Sequence, residues 1–207
     1  MATLTRPAPN SDQAVALEQK VERLRELFAD ASEIGKAALK SGLPALKQEL
    51  AAPTRMQQAG RIGARQGKVS EFTLLVPFAK GGAKRLRGLL ELLEGNFQLA
   101  DLVGTVHDMR FVFLDNDTKL LFATTYDGDF DPYIDDFATK IPNGLDLLFC
   151  NSEGWPGIRS PKVKDWIVEH QIAAAAWYVA NPDLTVAETQ KLTRMGKVVE
   201  EALDKIQ

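Results

Sequence analysis

The sequence predicts an α+β protein built around a four-stranded antiparallel sheet, and three observations carry that expectation. Short β-prone runs bounded by turn residues occur at 71–78, 103–114, 119–126 and 145–150. Between the first and second runs, and again between the third and fourth, apolar residues recur at helical spacing. Amphipathic stretches flank this block on both sides. The predicted order is β-α-β-β-α-β with an N-terminal helical arm and two C-terminal helices, divided as arm and basic linker (residues 1–69), sheet domain (70–151) and helical pair (152–207).

Composition limits the function classes. A chain of 207 residues can bury a proper core. Its 45% hydrophobic and 26% charged residues are those of an ordinary globular protein. A net charge of −3 argues against general nucleic-acid binding, which calls for a basic excess. A lone cysteine, Cys150, excludes an intramolecular disulfide and fits a reducing compartment. No apolar run reaches the length of a membrane span, and the first residues lack the apolar core of a secretory signal, so the expected location is cytoplasmic. Met1–Asn10, with Pro7 and Pro9, reads as a short disordered lead-in.

In the N-terminal third, Ser11 and Asp12 are helix-capping types, and Ala14, Leu17, Val21, Leu24 and Phe28 recur at spacings of three and four. This apolar seam suits packing on the chain's own domain or on a partner subunit equally well. Gly42-Leu43-Pro44 predicts a break, followed by a short helix over 44–51. Thr54–Ser70 then carries Arg55, Arg61, Arg65 and Lys68, three glycines and no acid. Such a stretch reads either as a segment holding an anion, through Arg61 and Arg65, or as a solvated linker, the simpler reading.

In the central block, Gly81-Gly82 turns the chain into a helix over 83–93, with Leu86, Leu89, Leu90 and Leu93 on one face. Asp115-Asn116-Asp117-Thr118 supplies residues that tolerate the left-handed conformations of a tight hairpin. Asp131-Pro132 opens a second helix through about Thr139. Strict alternation along 103–114 puts Thr105, His107, Met109, Phe111 and Phe113 on one face, and Val106, Asp108, Arg110, Val112 and Leu114 on the other. Both sets are largely apolar, so this strand is expected to be buried on both sides. Further on, Ser160-Pro161 predicts a helix to about Val179, and Thr185-Val186-Ala187-Glu188 is a capping box for a last helix with Leu192, Met195, Val199 and Leu203 on one face.

The β-α-β-β-α-β order over Ser70–Asn151 resembles the ferredoxin-like fold, and more narrowly the dimeric α+β barrel group, in which two such sheets face each other. That resemblance implies a homo-oligomer and an enclosed ligand. Haem-binding members of the group, the dye-decolourising peroxidases and chlorite dismutases, imply haem as cofactor, with His107 as axial ligand. The chain departs from the peroxidases: their GxxDG motif is met only by Asp127-Gly128, with Thr124 where the first glycine belongs. No catalytic aspartate is carried over.

Among candidate reactive groups, His107 is one of only two histidines, and it serves either as a metal or haem ligand or as a general base. Arg110 is the nearby cation for an anionic substrate group. Asp127, Asp129, Asp131 and Asp135 lack the glycine and glutamate of a calcium loop and read as an acidic helix entry. His170 reads as a satisfied interfacial residue, and Cys150 as an inert core thiol ending a buried strand. The functional expectation is a small-molecule-binding enzyme, peroxidase-like if haem is bound, with His107 and Arg110 catalytic and His107, Arg61 and Arg65 binding the cofactor. The alternative is a non-catalytic assembly module whose sheet face and N-terminal helix are subunit interfaces.

Overall fold

A computed structural model describes residues 11–205, so the expected lead-in at Met1–Asn10 lies outside the described residues. The chain forms two compact units, divided between Thr54 and Arg55.

The first unit is a helical hairpin of α1 (Ser11–Leu27) and α2 (Glu33–Ala51). Ser32 caps α2 by accepting the Gly35 amide at 3.3 Å. Of the predicted seam, Val21 is fully buried and Leu17 and Leu24 half-buried, while Ala14 and Phe28 stay exposed. Lys47 meets Glu18 at 2.7 Å across the pair. The expected break at Gly42-Leu43-Pro44 does not occur, because α2 runs continuously through Pro44. The ring removes one donor, leaving the Lys40 carbonyl without its helical partner, and Lys40 is exposed, so water can take that bond.

The second unit holds a sheet of order β1-β2-β3-β5-β4 with antiparallel neighbours: β1 (Gln57–Gln58), β2 (Ala64–Gln66), β3 (Val69–Pro77), β4 (Val106–Leu114) and β5 (Lys119–Asp127). A two-residue β6 (Gln171–Ile172) also pairs with β3. The predicted strands at 71–78, 103–114 and 119–126 are present as β3, β4 and β5. Because β5 lies between β3 and β4, the β3–α3–β4 connection is split as expected, with α3 at Gly82–Leu92. The β4–β5 hairpin turns on Asp115, Asn116 and Asp117, all with φ between 51° and 63°.

The fourth predicted strand is not a strand. Residues 145–150 lie in and just beyond α5 (Pro142–Phe149), which follows α4 (Phe130–Lys140). Proline at the first turn starts α5, and Leu145, Leu148 and Phe149 are buried at helical spacing; a short apolar run does not distinguish the two states by itself. The place beside β3 belongs instead to β2 and β6, so Thr54–Ser70 contributes strands rather than a free linker. The architecture is an open antiparallel sheet with helices, and the full ferredoxin-like strand order is not present.

The core lies on one face of the sheet. Phe72, Leu74 and Val76 of β3 stand beside Phe122 and Leu120 of β5, under Leu86, Tyr133, Phe137, Leu145 and Phe149 from the helices. Phe72 is its hub, with ring centroids of Phe122, Tyr126, Phe130 and Tyr133 all within 6.1 Å; truncating such a residue to alanine costs about 3–5 kcal/mol. The opposite face is more open. Asp108, Arg110 and Val112 of β4 are exposed, Val112 by 42%, which corrects the expectation that this strand is buried on both sides.

The predicted helix over 160–179 ends early. Helix α6 spans Val163–Glu169, after which the chain extends along β3: the Leu75 amide donates to the His170 carbonyl at 3.0 Å and β6 forms. Sheet pairing overrides the helix propensity of Ala173–Ala176. The last helix, α7 (Val186–Asp204), starts from the predicted capping box, with both reciprocal bonds made. The expected antiparallel helical pair therefore does not form.

Candidate functional site

His107 sits on a β-bulge. The β4–β5 register places Val106 opposite Tyr126 and Asp108 opposite Thr125, so His107 is the extra residue. The bulge breaks the alternation read from sequence, and His107 lines a cleft together with Asp108 and Arg110, away from the core-facing Met109, Phe111 and Phe113.

His107 Nε2 lies 2.7 Å from Asp127 Oδ1. The other oxygen, Oδ2, accepts the backbone amide of Val186 at 2.9 Å, the first residue of α7. The positive end of the helix thus faces the carboxylate. A carboxylate oxygen accepts, so the contact assigns the donor role to Nε2 and leaves Nδ1 as the second ring nitrogen. Asp127 is itself pinned, its amide donating to the Thr105 carbonyl at 2.9 Å. The histidine and aspartate side chains are 24% and 11% exposed, which leaves the pair within reach of a ligand and largely shielded from bulk water.

The cleft beside the pair has a volume of about 470 Å³, and Thr125, Trp177, Tyr178 and Asn181 also line it. It is of small-molecule size. The 173–185 segment, released from the expected helix, forms one wall; the Gln66 side chain anchors it by donating to the Trp177 carbonyl at 2.7 Å. Arg110 Nε is held by Asp108 Oδ1 at 3.1 Å, while the side chain remains 63% exposed. Its two terminal nitrogens have no other partner among the described residues, an arrangement suited to a carboxylate.

Arg61 and Arg65 are not brought to this cleft. Arg61 pairs with Asp165 and Asp131, and Arg65 with Asp129 at 2.8 Å and with the Ser70 hydroxyl. Lys164 completes the set by reaching Asp131 and Asp135. The acidic entry to α4 is therefore neutralised by cations, and among the described residues no three His, Cys, Asp or Glu side chains gather as a metal site. His170 stacks on Trp166 at 4.3 Å and donates Nδ1–H to its carbonyl at 2.8 Å. Cys150, expected in the core, is exposed just past the end of α5.

A larger cavity of about 630 Å³ opens between α3, α4, α5 and the 3-10 turn at Gln98–Leu102. Its walls carry no titratable side chain, so it offers no group for chemistry. A second polar site is narrower: Glu71 is buried, accepts the Ala64 amide at 3.0 Å, and is pushed above the usual carboxylate range by that burial.

His107 and Arg110, both singled out from the sequence, line one cleft, whereas Asp127 as the histidine's partner and Trp177–Tyr178 as the wall were not anticipated. Folding the hairpin symmetrically about 115–118 pairs His107 with Tyr126, and only the bulge brings its side chain to the face of Asp127. Comparison of the chain with protein-family models, with curated proteins and with solved structures finds no match.

Proposed function

We propose that the protein is a small-molecule-binding enzyme that moves a proton in the His107 cleft. The observation that carries this reading is the chain of contacts from the α7 N-terminus through Asp127 to His107, opening onto a cleft lined by Arg110, which is paired with Asp108 through Nε and keeps its two terminal nitrogens unpaired among the described residues. Nδ1 of His107 takes a proton from the bound substrate. The resulting imidazolium is stabilised by the Asp127 carboxylate at 2.7 Å. Arg110 binds a carboxylate of the substrate, and Trp177 with Tyr178 gives its apolar body a surface.

Haem ligation by His107 draws less support. A ligating histidine does commonly give its other N–H to a carboxylate, but here Nε2 is the engaged nitrogen. Nδ1, next to Cβ, would bring a macrocycle against the β4 backbone. Arg110, the cation lining the cleft, is tied to Asp108. The assembly-module reading keeps one observation in its favour, the partly open second face of the sheet with Val112 exposed. The split β3–α3–β4 connection accords with two such faces meeting in a dimeric α+β barrel.

Phenylpyruvate, which combines a carboxylate, an exchangeable carbon-bound proton and an aromatic body, is the probe. The protein should accelerate exchange of its C3 protons into D2O. His107→Ala should lose about 10²–10⁴-fold of that acceleration, and Arg110→Ala should weaken binding. Exchange at the buffer rate, without chemical-shift changes at His107 or Arg110, would favour the assembly reading. A haemin titration separates the third: a Soret band lost in His107→Ala would restore the axial-ligand role.

A further inference from the structure

Helix α7 leaves its unit after a single turn. That turn is fixed by Asp127 on the Val186 amide, by the Thr185–Glu188 capping box, and by Lys68 on Glu188 at 2.7 Å. From Thr189 through Lys205 every residue is exposed. Within this stretch Leu192, Met195, Val199 and Leu203 recur at spacings of three and four, each between 51% and 57% exposed. A helix in water draws most of its stability from packing an apolar stripe, and this stripe is uncovered.

Charge identifies what covers it. Residues 189–198 contain Lys191, Arg194 and Lys197 and no acid; residues 199–204 contain Glu200, Glu201 and Asp204 and no base. A helix charged in this way is complementary to its own reverse. We propose that two copies of the chain associate through α7, laid antiparallel with the Leu192–Leu203 stripes in contact. In the register that sets Leu192 against Leu203 of the second copy, Lys191 is level with Asp204 and Arg194 with Glu201. Gly196 falls level with Val199, where it adds no side chain to hold the axes apart. Packed helices lie about 8–10 Å apart, close to the Debye length of about 8 Å in physiological salt, so the opposed halves attract. A parallel pair would set like charges side by side. One helix pair is a small interface of the weak, reversible kind.

The test is sedimentation equilibrium of the full chain over a concentration series. The proposal expects a reversible monomer–dimer equilibrium that weakens with added salt. Val199→Asp should shift it at least tenfold towards monomer; the site is exposed, so the monomer keeps its fold and its circular dichroism. Reversing Lys191, Arg194 and Lys197 to glutamate should also give monomer. Reversing Glu200, Glu201 and Asp204 to lysine in addition should restore the dimer, because the complementarity is then rebuilt with opposite sign. A monomer at all concentrations, a dimer indifferent to Val199→Asp, or a sixfold-reversed chain that stays monomeric would overturn the proposal.

Discussion

Glu71 shows how much a single buried side chain sets conditions for the whole. The residue is 5% exposed, and its carboxyl meets the Ala64 amide and the Thr73 hydroxyl, with no cation paired to it among the described residues. Burial raises its pKa above the unfolded value. For an acid so shifted, stability is fully present below the unfolded pKa and is lost as pH rises through the folded one. Glu71→Gln keeps an oxygen for Ala64 and removes the ionisation. The variant should match the wild type near pH 4 in urea denaturation and exceed it near pH 8. Equal curves at both pH values would show that burial of the charge costs nothing here. His107 illustrates the converse, a residue whose surroundings matter more than its identity. Its type was legible in the sequence, but its orientation was not, because a bulge of one residue inverts the alternation from which faces are read.

At the scale of elements, legibility followed the clarity of local rules. Strands β3 to β5, the 115–118 turn, α3, α4 and the α7 capping box each had a periodicity or a turn chemistry that tertiary context did not oppose. The failures were two apolar segments whose state is set by neighbours. The 145–150 run becomes α5 because its leucines find a core at helical spacing, and 171–172 becomes β6 because β3 has a free edge there. Helix α2 failed in the other direction, by continuing through a residue that normally interrupts a helix. That continuity carries a cost that can be measured. Pro44→Ala restores the missing bond to the Lys40 carbonyl and should stabilise the α1–α2 unit by roughly 1–3 kcal/mol, seen as a higher melting temperature followed by helical circular dichroism. A lower melting temperature would mean that the ring contributes contacts worth more than the bond.

For the whole molecule, the distribution of buried residues matters. The hydrophobic cluster runs from Ile62 to Ile167 and lies entirely in the second unit, whereas the first unit fully buries only Val21 among its described apolar residues. The His107–Asp127 pair lies on the other face of the sheet from that cluster. The site can therefore change without repacking the core, and that separation explains why fold and function were unequally readable. The fold is written in the periodicity of many residues. The site depends on a few residues made neighbours by register, and by a wall segment whose path no local pattern announces.

The bulge at His107 has a second consequence. Strand β4 is the last in the sheet order, so one side of its backbone presents unpaired amides and carbonyls over nine residues, several of them Val, Phe and Leu. An uninterrupted edge of that kind templates strands from other molecules. The extra residue twists the edge, and the exposed Asp108–Arg110 ion pair lies beside it. Deleting His107 should straighten the ladder and produce thioflavin-positive aggregates on mild heating, while His107→Ala, which keeps the bulge, should not; aggregation of both to the same extent would locate the protection in the imidazole. The irregularity that turns the histidine into the cleft is on this account also what keeps the protein from growing into a fibre.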